Sequence, residues 1–202
     1  MSTIEKVAVI GAGVMGAGIA AHVANAGIPV MLLDIVPKGA PDGAEDRDAI
    51  AKGAIAKLLK ADPAPLMHKR NAKRITPGNI EDHLDRLADC DWIVEAGIER
   101  IDIKRDLYAV RKEGSVVSSN TSTIPLATLT EGMGARLKGD FLITHFFNPP
   151  RYMRLLELVV GPDTTADAID RMRGFADQRL GKTVIDCKDT PGFIANRIGT
   201  FW

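Results

Sequence analysis

The sequence has few cysteines and no long apolar run, and each absence narrows the class of protein. Its two cysteines, Cys90 and Cys187, lie far apart and form no CxxC pair. This pattern favours reduced cysteines packed in the interior over a disulfide or a redox centre. No apolar stretch approaches the roughly 20 residues that span a bilayer. The first six residues also lack the basic flank and apolar run of a secretory signal, so we expect a soluble, cytoplasmic protein.

An excess of charge of either sign is also missing. Lysine and arginine together number 26, as do aspartate and glutamate, which gives a formal net charge of +0. No global field therefore draws the protein to nucleic acid or to a membrane, although a local basic patch for a phosphorylated substrate remains open. With 202 residues, 46% of them hydrophobic, the chain is long enough to bury the core of one large domain.

Short apolar runs alternate with helical patterns along most of the chain. The apolar runs predict strands at 6–10, 29–33, 92–96, 115–119, 141–145, 155–160 and 183–186. The longer periodic segments predict helices at 14–26, 48–61, 102–111, 124–129 and 166–180. Residues 36–47 are rich in Pro, Gly and acid and predict a loop, and residues 67–89 give no clear pattern. The alternation predicts an α/β fold, a Rossmann-like doubly wound sheet extended by an extra strand–helix–strand unit.

A glycine-rich turn follows the first predicted strand and opens the first helix. Residues 11–16 read GAGVMG and fit the pattern G-x-G-x-x-G. Gly11 permits the tight turn, Gly13 lets the backbone approach a pyrophosphate, and Gly16 lets helix and strand pack closely. Val14 and Met15 lie at the helix start, where free N–H groups and the positive end of the dipole attract phosphates.

Asp34 at the end of the second predicted strand supports a dinucleotide site. It lies 18 residues after Gly16, and a carboxylate there can accept hydrogen bonds from both ribose hydroxyls while repelling a 2′-phosphate. The alternative is a tight turn and a helix-capping acid without a ligand. We expect a cofactor site for NAD rather than NADP.

Four further segments carry a resemblance to a known family. They are VEAGIE at 94–99, SNTS at 119–122, HFFNP at 145–149 and DTPGFIANR at 189–197. Together with the glycine turn, they resemble the 3-hydroxyacyl-CoA dehydrogenases, in the family's order and over almost the whole chain. The resemblance implies NAD-dependent oxidation of an (S)-3-hydroxyacyl-CoA to a 3-oxoacyl-CoA, as in fatty acid β-oxidation.

That chemistry needs a base beside the hydroxyl, because a free secondary alcohol is far too weak an acid at neutral pH. A neutral imidazole is suited to this task. His145 lies where a predicted strand meets a proline-stopped loop, at the carboxyl edge of the sheet where open α/β folds bind ligands. The resemblance places the family's catalytic histidine at His145, whereas His22, His68 and His83 are interpreted as ordinary packed or exposed side chains.

The resemblance also implies roles for residues around this histidine. Glu157 matches the glutamate that hydrogen-bonds and orients the histidine, Ser122 matches the serine that contacts the substrate's 3-oxygen, and Asn196 matches an asparagine that helps hold the substrate. The other implied positions lie around the cofactor: Asn120 and Asn148 at the nicotinamide end, with Glu99 and Lys104. The alternatives are an ordinary strand-edge glutamate at 157 and a solvated pair at the start of a helix for Glu99 and Lys104. No metal site is expected.

Two departures from the family pattern affect the cofactor and substrate regions. The helix between Lys104 and Gly114 is shorter by about four residues, roughly one turn, which preserves the buried face. The loop at 36–47 is longer, which shifts the helix that carries Lys52, Lys57 and Lys60. These lysines are either coenzyme A phosphate ligands or a plain solvated face.

We expect residues 1–188 to form the NAD-binding domain and residues 189–202 to begin a helix toward a C-terminal helical domain absent from the chain. The resemblance implies such a domain, completing the acyl pocket and a homodimer contact. A chain ending in Phe201 and Trp202 exposes apolar surface, so we expect a fragment that binds NAD but oxidises acyl-CoA poorly. Two rival functions stay open: a dehydrogenase of a free hydroxy acid or sugar acid, and an NAD-binding module without chemistry.

Overall fold

The computed structural model describes residues 3–38, 46–97 and 110–200. Within these ranges lie eight strands: β1 (Val7–Ile10), β2 (Val30–Asp34), β3 (Ile75–Asn79), β4 (Trp92–Glu95), β5 (Val116–Ser119), β6 (Phe141–Phe146), β7 (Leu155–Val160) and β8 (Thr183–Cys187). The α-helices in the same ranges are α1 (Val14–Asn25), α2 (Ala49–Leu58), α3 (Leu126–Leu129), α4 (Ala135–Asp140), α5 (Ala166–Gly174) and α6 (Ala195–Gly199). The same ranges also contain two 3₁₀ segments, Lys69–Arg74 and Leu84–Asp89, and a π-helical turn at Phe175–Arg179.

All eight strands form one sheet in the order β3-β2-β1-β4-β5-β6-β7-β8. Neighbouring strands from β3 to β6 are parallel, β6 and β7 are antiparallel, and β7 and β8 are parallel again. The strand order reverses between β1 and β4, the point where this fold opens a ligand crevice at the carboxyl ends of its strands. The predicted fold class, a doubly wound Rossmann-like sheet with an added strand–helix–strand unit, is confirmed.

Helices cover both faces of the sheet. Successive residues of a strand point to opposite faces, so each central strand contributes to two cores. Val7 and Val9 of β1 share a core with α1, α2 and α5, whereas Ala8 and Ile10 join a second core on the opposite face. A third core packs α3 against β5 and β6 around Phe141. Both faces of the central strands are therefore buried, as expected for a parallel sheet, and this leaves the strand ends for ligands.

Strand β3 was missed in the sequence because its composition is atypical. It reads ITPGN, and proline and glycine both disfavour strand interiors. The strand lies at the edge of the sheet and pairs only with β2, in the register Asp34 to Asn79. An edge strand tolerates Pro77, because the missing N–H is not needed by a second neighbour.

Other differences concern helices. Helix α2 ends at Leu58 rather than 61, α4 was not predicted, and the helix predicted at 166–180 changes to a π-helical turn from residue 175. Most of the helix predicted at 102–111 lies outside the described residues, and the described positions 110 and 111 form a bend. No helix in the described part of the chain is both long and apolar enough to cross a bilayer.

Both cysteines are buried and free, Cys90 against β1 and β2 and Cys187 at the end of β8. Burial raises the pKa of each thiol to about 11. Because the thiolate is the reactive form, both side chains behave as small packing residues at neutral pH.

His22 on α1 is a buried histidine that the fold keeps neutral. Its Nε2 lies 3.0 Å from the carbonyl oxygen of Leu180, to which it donates, and its Nδ1 is buried without a hydrogen-bond partner among the described residues. Burial, reinforced by the positive charge of Lys182, lowers the pKa of His22 from 6.5 to about 4. In the unfolded chain the same imidazole takes up a proton near its ordinary pKa.

We therefore predict an acid-dependent loss of stability that depends on His22. Above pH 6.5 the imidazole is neutral in both the folded and the unfolded chain, so its protonation does not change the free energy of unfolding. Between pH 6.5 and 4 only the unfolded chain binds the proton. The free energy of unfolding should fall by about 3 kcal/mol over this interval. Denaturant titrations at several pH values should show a shallower acid dependence in His22→Gln, which keeps the donor to Leu180, than in the wild type. His68→Gln, at an exposed position, is the control; equal slopes in the wild type and His22→Gln would contradict the assignment.

Candidate active site

The glycine turn between β1 and α1 has two positions that need glycine for the fold and one that leaves space. Gly11 has φ +101°, a conformation that side chains rarely adopt. A Cβ on Gly16 would lie 1.7 Å from the carbonyl oxygen of Gly11, so helix and turn require its absence. A Cβ on Gly13 would meet no atom of the described residues within 4 Å. The space beside Gly13, at the N-terminus of α1, is open to a ligand.

Asp34 is held beside this turn by hydrogen bonds to its carboxylate. Oδ2 accepts from the backbone N–H of Ala12 at 2.5 Å, and Oδ1 accepts from the N–H of Ile35 at 2.7 Å. The side chain remains partly exposed, so it can still accept hydrogen bonds from ribose hydroxyls. A fixed negative charge here repels a 2′-phosphate. The turn and Asp34 therefore fit NAD.

A cleft of about 680 Å³ adjoins the turn between α1, α2 and the loop after β6. We call it the α1–α2 cleft. Its lining is mainly apolar and comprises Ala12, Gly13, Val14, Ala17, Gly18, Ala49, Ile50, Gly53, Ala54, Lys57, Leu58, Ala61, Asp62, Pro63, Pro65, Asn148, Pro149 and Pro150. Lys57 is the lysine of α2 in this lining; Lys52 and Lys60 are not part of it. The cleft can hold an extended, partly apolar molecule with a phosphate near Lys57.

His145 and Glu157 form a buried pair on the antiparallel strands β6 and β7. They lie directly opposite each other in the register, and His145 Nδ1 is 2.7 Å from Glu157 Oε2. His145 is 6% exposed and Glu157 is fully buried. Because a carboxylate only accepts, Nδ1 is the protonated nitrogen, and Nε2 carries the lone pair. The pairing therefore places Nε2 on the side of the ring away from Glu157.

The second oxygen of Glu157 binds the segment that follows β8. Oε1 accepts from the backbone N–H groups of Ile194 at 3.0 Å and Ala195 at 2.8 Å. The turn before them contains Phe193 with φ 46°, a strained value for a bulky residue. Together with His145 Nδ1, these N–H groups give both oxygens of the buried carboxylate hydrogen-bond donors. Glu157 thus orients His145 and also fixes the segment that leads into α6.

Aromatic rings enclose the imidazole. The Phe147 ring centroid lies 4.6 Å from that of His145, and the Phe193 centroid lies 5.7 Å away. Asn196 follows on α6, half-buried, one residue after the Glu157 contact at Ala195. The structure therefore places Asn196 in the segment that packs on the His145–Glu157 pair.

The carboxyl ends of β4 and β5 carry the next group of polar side chains. Asn120 Oδ1 accepts from the N–H of Phe146 at 2.9 Å, which ties the loop after β5 to the residue beside His145. Ser122 lies two residues further along this loop and is half-buried. Glu95 is buried, and its carboxylate accepts from Ser119 Oγ at 3.0 Å and from the N–H of Gly97 at 3.2 Å.

The remaining predicted site residues lie around the cofactor turn or outside the described residues. Val14 is 76% exposed, and Asn148 is also exposed; both line the α1–α2 cleft. Met15 is half-buried in the first turn of α1. The predicted residues Glu99 and Lys104 lie outside the described residues.

The family of the chain is identified by its similarity to known proteins. The sequence model of "3-hydroxyacyl-CoA dehydrogenase, NAD binding domain" matches residues 6–190. The chain belongs to the 3-hydroxyacyl-CoA dehydrogenase family. The matched part is the family's NAD-binding domain, so the cofactor is NAD, as the glycine turn and Asp34 predict.

Relatives of this 3-hydroxyacyl-CoA dehydrogenase domain match almost all of the chain. A probable 3-hydroxyacyl-CoA dehydrogenase of Bacillus subtilis is 49% identical, over 98% of this chain and 27% of the relative. One from Deinococcus radiodurans is 47% identical, over 98% of this chain and 57% of the relative. The chain thus spans only about a quarter to just over half of these two relatives.

Solved structures agree with the fold of the 3-hydroxyacyl-CoA dehydrogenase domain. FadB2 of M. tuberculosis has a TM-score of 0.79 and 31% identity, covering 98% of this chain and 68% of that chain. A 3-hydroxybutyryl-CoA dehydrogenase of Escherichia coli has a TM-score of 0.76 and 30% identity, covering 98% of this chain and 41% of that one.

Sequence reasoning missed Glu95 as a site residue. Its segment was singled out for the resemblance, but its own carboxylate was assigned no role. The signal was an acidic residue at the end of the apolar strand WIVE, because a buried carboxylate must find donors. Ser119 ends β5, directly before the loop of Asn120 and Ser122, and Gly97 lies in the segment after β4, so Glu95 connects the ends of the two strands.

Proposed function

We propose that the protein to which this domain belongs oxidises 3-hydroxyacyl-CoA to 3-oxoacyl-CoA with NAD⁺. The observation that carries the proposal is the 2.7 Å contact between His145 Nδ1 and Glu157 Oε2 at the carboxyl edge of an NAD-binding sheet. This pairing leaves the other imidazole nitrogen free to accept a proton. The names of the relatives support an acyl-CoA substrate.

In the proposed reaction, His145 Nε2 takes the proton of the substrate's 3-hydroxyl group. NAD⁺, when bound, supplies the acceptor for the hydride that leaves the same carbon. The Glu157 carboxylate holds the imidazole in place and stabilises the imidazolium that results, as an ionised carboxylate does for a histidine base. Phe147 and Phe193 beside the ring limit the access of water to this proton.

The other proposed roles follow the positions of the polar residues. Ser122 and Asn196 contact the substrate, Ser122 at its 3-oxygen. Asn120 and Asn148 line the nicotinamide end of the NAD site, and Glu99 and Lys104 contact the cofactor. The hydrogen bond from the Phe146 N–H to Asn120 supports a shared site, because it links the loop of Ser122 to the strand of His145.

The α1–α2 cleft is the proposed binding site of the coenzyme A moiety. Its apolar lining suits the pantetheine arm, and Lys57 supplies a cation for a phosphate. It adjoins the glycine turn at Gly13 and the loop of Asn148, so its ligand lies next to the cofactor.

The proposed domain organisation follows the sequence expectation. Residues 1–188 form the NAD-binding domain and residues 189–202 begin the connection to a helical domain, with homodimerisation and a place in fatty acid β-oxidation for the complete protein. The helix α6 within the second range is compatible with such a connection.

The proposed substrate is tested by comparing an acyl-CoA with its free acid. With the complete protein and NADH, kcat/KM for acetoacetyl-CoA should exceed that for acetoacetate by at least about 100-fold, because only the former gains binding energy in the cleft. The loss of NADH absorbance follows both reactions. Comparable values for the two substrates would favour a free hydroxy-acid dehydrogenase, and no turnover of either would favour a module without chemistry.

A further inference from the structure

Lys182, the residue before β8, is a buried lysine that the proposed reaction does not use. It is only 3% exposed, and its ammonium donates to the carbonyl oxygen of Pro150 and, at 2.7 Å, to that of Met153. The ammonium also lies 5.5 Å from the ring centroid of Phe146. Burial lowers the pKa of Lys182 to about 8, so the side chain is still largely protonated at neutral pH.

Both carbonyl groups belong to one turn of the loop after β6. The backbone N–H groups of Tyr152 and Met153 each donate to the carbonyl of Pro149 at 3.0 Å, which closes the turn at 149–153. Lys182 supplies donors to the carbonyl oxygens of this turn, as a cation does at the C-terminal end of a helix. A buried charge is costly unless it is paired, so the contact fixes the turn firmly to β8.

The same turn forms one wall of the α1–α2 cleft. Pro149 and Pro150 line the cleft, and a Cβ on Gly18 of α1 would lie 2.9 Å from Pro150 Cδ. Tyr152 Oη of the same turn donates to the carbonyl of Ala64 at 2.9 Å, and Ala64 lies between the lining residues Pro63 and Pro65. The turn is therefore in contact with the residue before β8, with helix α1 and with the segment after α2, so its position affects the shape of the cleft.

We propose that Lys182 is a positioning residue for the coenzyme A moiety, because its ammonium holds the turn at 149–153 against the α1–α2 cleft. The inference rests on the proposed function, which places coenzyme A in this cleft. Lys182 does not contact the reacting atoms in this account. Its loss weakens substrate binding and leaves the chemistry at His145 intact.

The test compares Lys182→Met with the wild type in the complete protein. Methionine is unbranched like lysine but one atom shorter, and it removes the charge and the donors. KM for acetoacetyl-CoA and the Kd of coenzyme A by calorimetry should both rise about tenfold, whereas kcat and the Kd of NADH should stay within about threefold. Hydrogen exchange at the Tyr152 and Met153 amides should accelerate. Lys188→Met, at an exposed lysine after β8, should leave all of these values unchanged.

A second variant keeps the test decisive if Lys182→Met does not fold. Lys182→Gln retains two N–H donors on a shorter, neutral side chain and should raise KM by a smaller factor. Unchanged KM and coenzyme A affinity in a folded variant overturn the inference, as does a fall in kcat without a change in KM. A wild-type protein that binds no coenzyme A overturns both the inference and the proposed function, so the two failures are distinguishable.

Discussion

Replacing His145 with asparagine should lower kcat for 3-hydroxyacyl-CoA oxidation by about 10²–10⁴ and leave NAD affinity within about threefold of the wild type. The loss is large because the hydroxyl proton then has no base. Asparagine is chosen because its amide nitrogen takes the place of Nδ1 and can still donate to Glu157. The variant thus removes the base without leaving the buried carboxylate unpaired.

Two further proteins separate catalysis from folding. His145→Ala also removes the donor to Glu157 and should lose about 1–3 kcal/mol of unfolding free energy in addition to activity. His68→Asn, at an exposed histidine, should match the wild type in rate and stability. Steady-state rates, NAD binding and denaturant titrations on all variants give the comparison. A kcat for His145→Asn within tenfold of the wild type would remove His145 from the mechanism.

The glycine turn gives the second large effect, because two of its glycines should respond in opposite ways. Gly13→Ala places a methyl group in open space, at a residue with φ −66° that alanine can adopt. Its stability should fall by no more than about 1 kcal/mol, because alanine is a poorer N-cap residue than glycine. The Kd of NAD should rise at least about tenfold, since the methyl group occupies the path of the pyrophosphate.

Gly16→Ala should instead damage the fold. The new Cβ would lie 1.7 Å from the carbonyl oxygen of Gly11, and neither backbone can move without disturbing β1 or α1. We expect a loss of about 3 kcal/mol, or roughly 6–12 °C in Tm, besides weaker NAD binding. Thermal unfolding and NAD titration measure both variants. Equal Tm losses in the two variants would contradict the open space beside Gly13, and unchanged NAD affinity in Gly13→Ala would contradict the path of the pyrophosphate past this residue.

The central strands were predictable because burial on both faces leaves a clear apolar run, as in β1 and β4. Edge strand β3 was not predictable, because Pro77 and Gly78 are unfavourable in strands. This segment is a strand through its pairing with β2. The π-helical turn at Phe175–Arg179 was not predicted either; it begins at Phe175, which is buried against Trp92.

Site residues that belong to recognisable motifs were predictable from the sequence. Contacts between residues far apart in the chain were not. The sequence placed His145 and Glu157 on consecutive strands, but only the antiparallel register shows that they face each other. The use of Ile194 and Ala195 N–H groups by Glu157 joins positions 37 and 38 residues apart and has no local signal. The same holds for Lys182, whose partners are backbone carbonyls that no sequence pattern identifies.

The role of His145 is tested most directly by a crystal structure of the complete protein with NADH and a 3-oxoacyl-CoA. We predict that His145 Nε2 lies within about 3.2 Å of the C3 oxygen while Nδ1 keeps its contact with Glu157. Such a distance is what proton transfer in the proposed step requires. A C3 oxygen bound more than about 6 Å from Nε2, with no bridging water, would contradict the account.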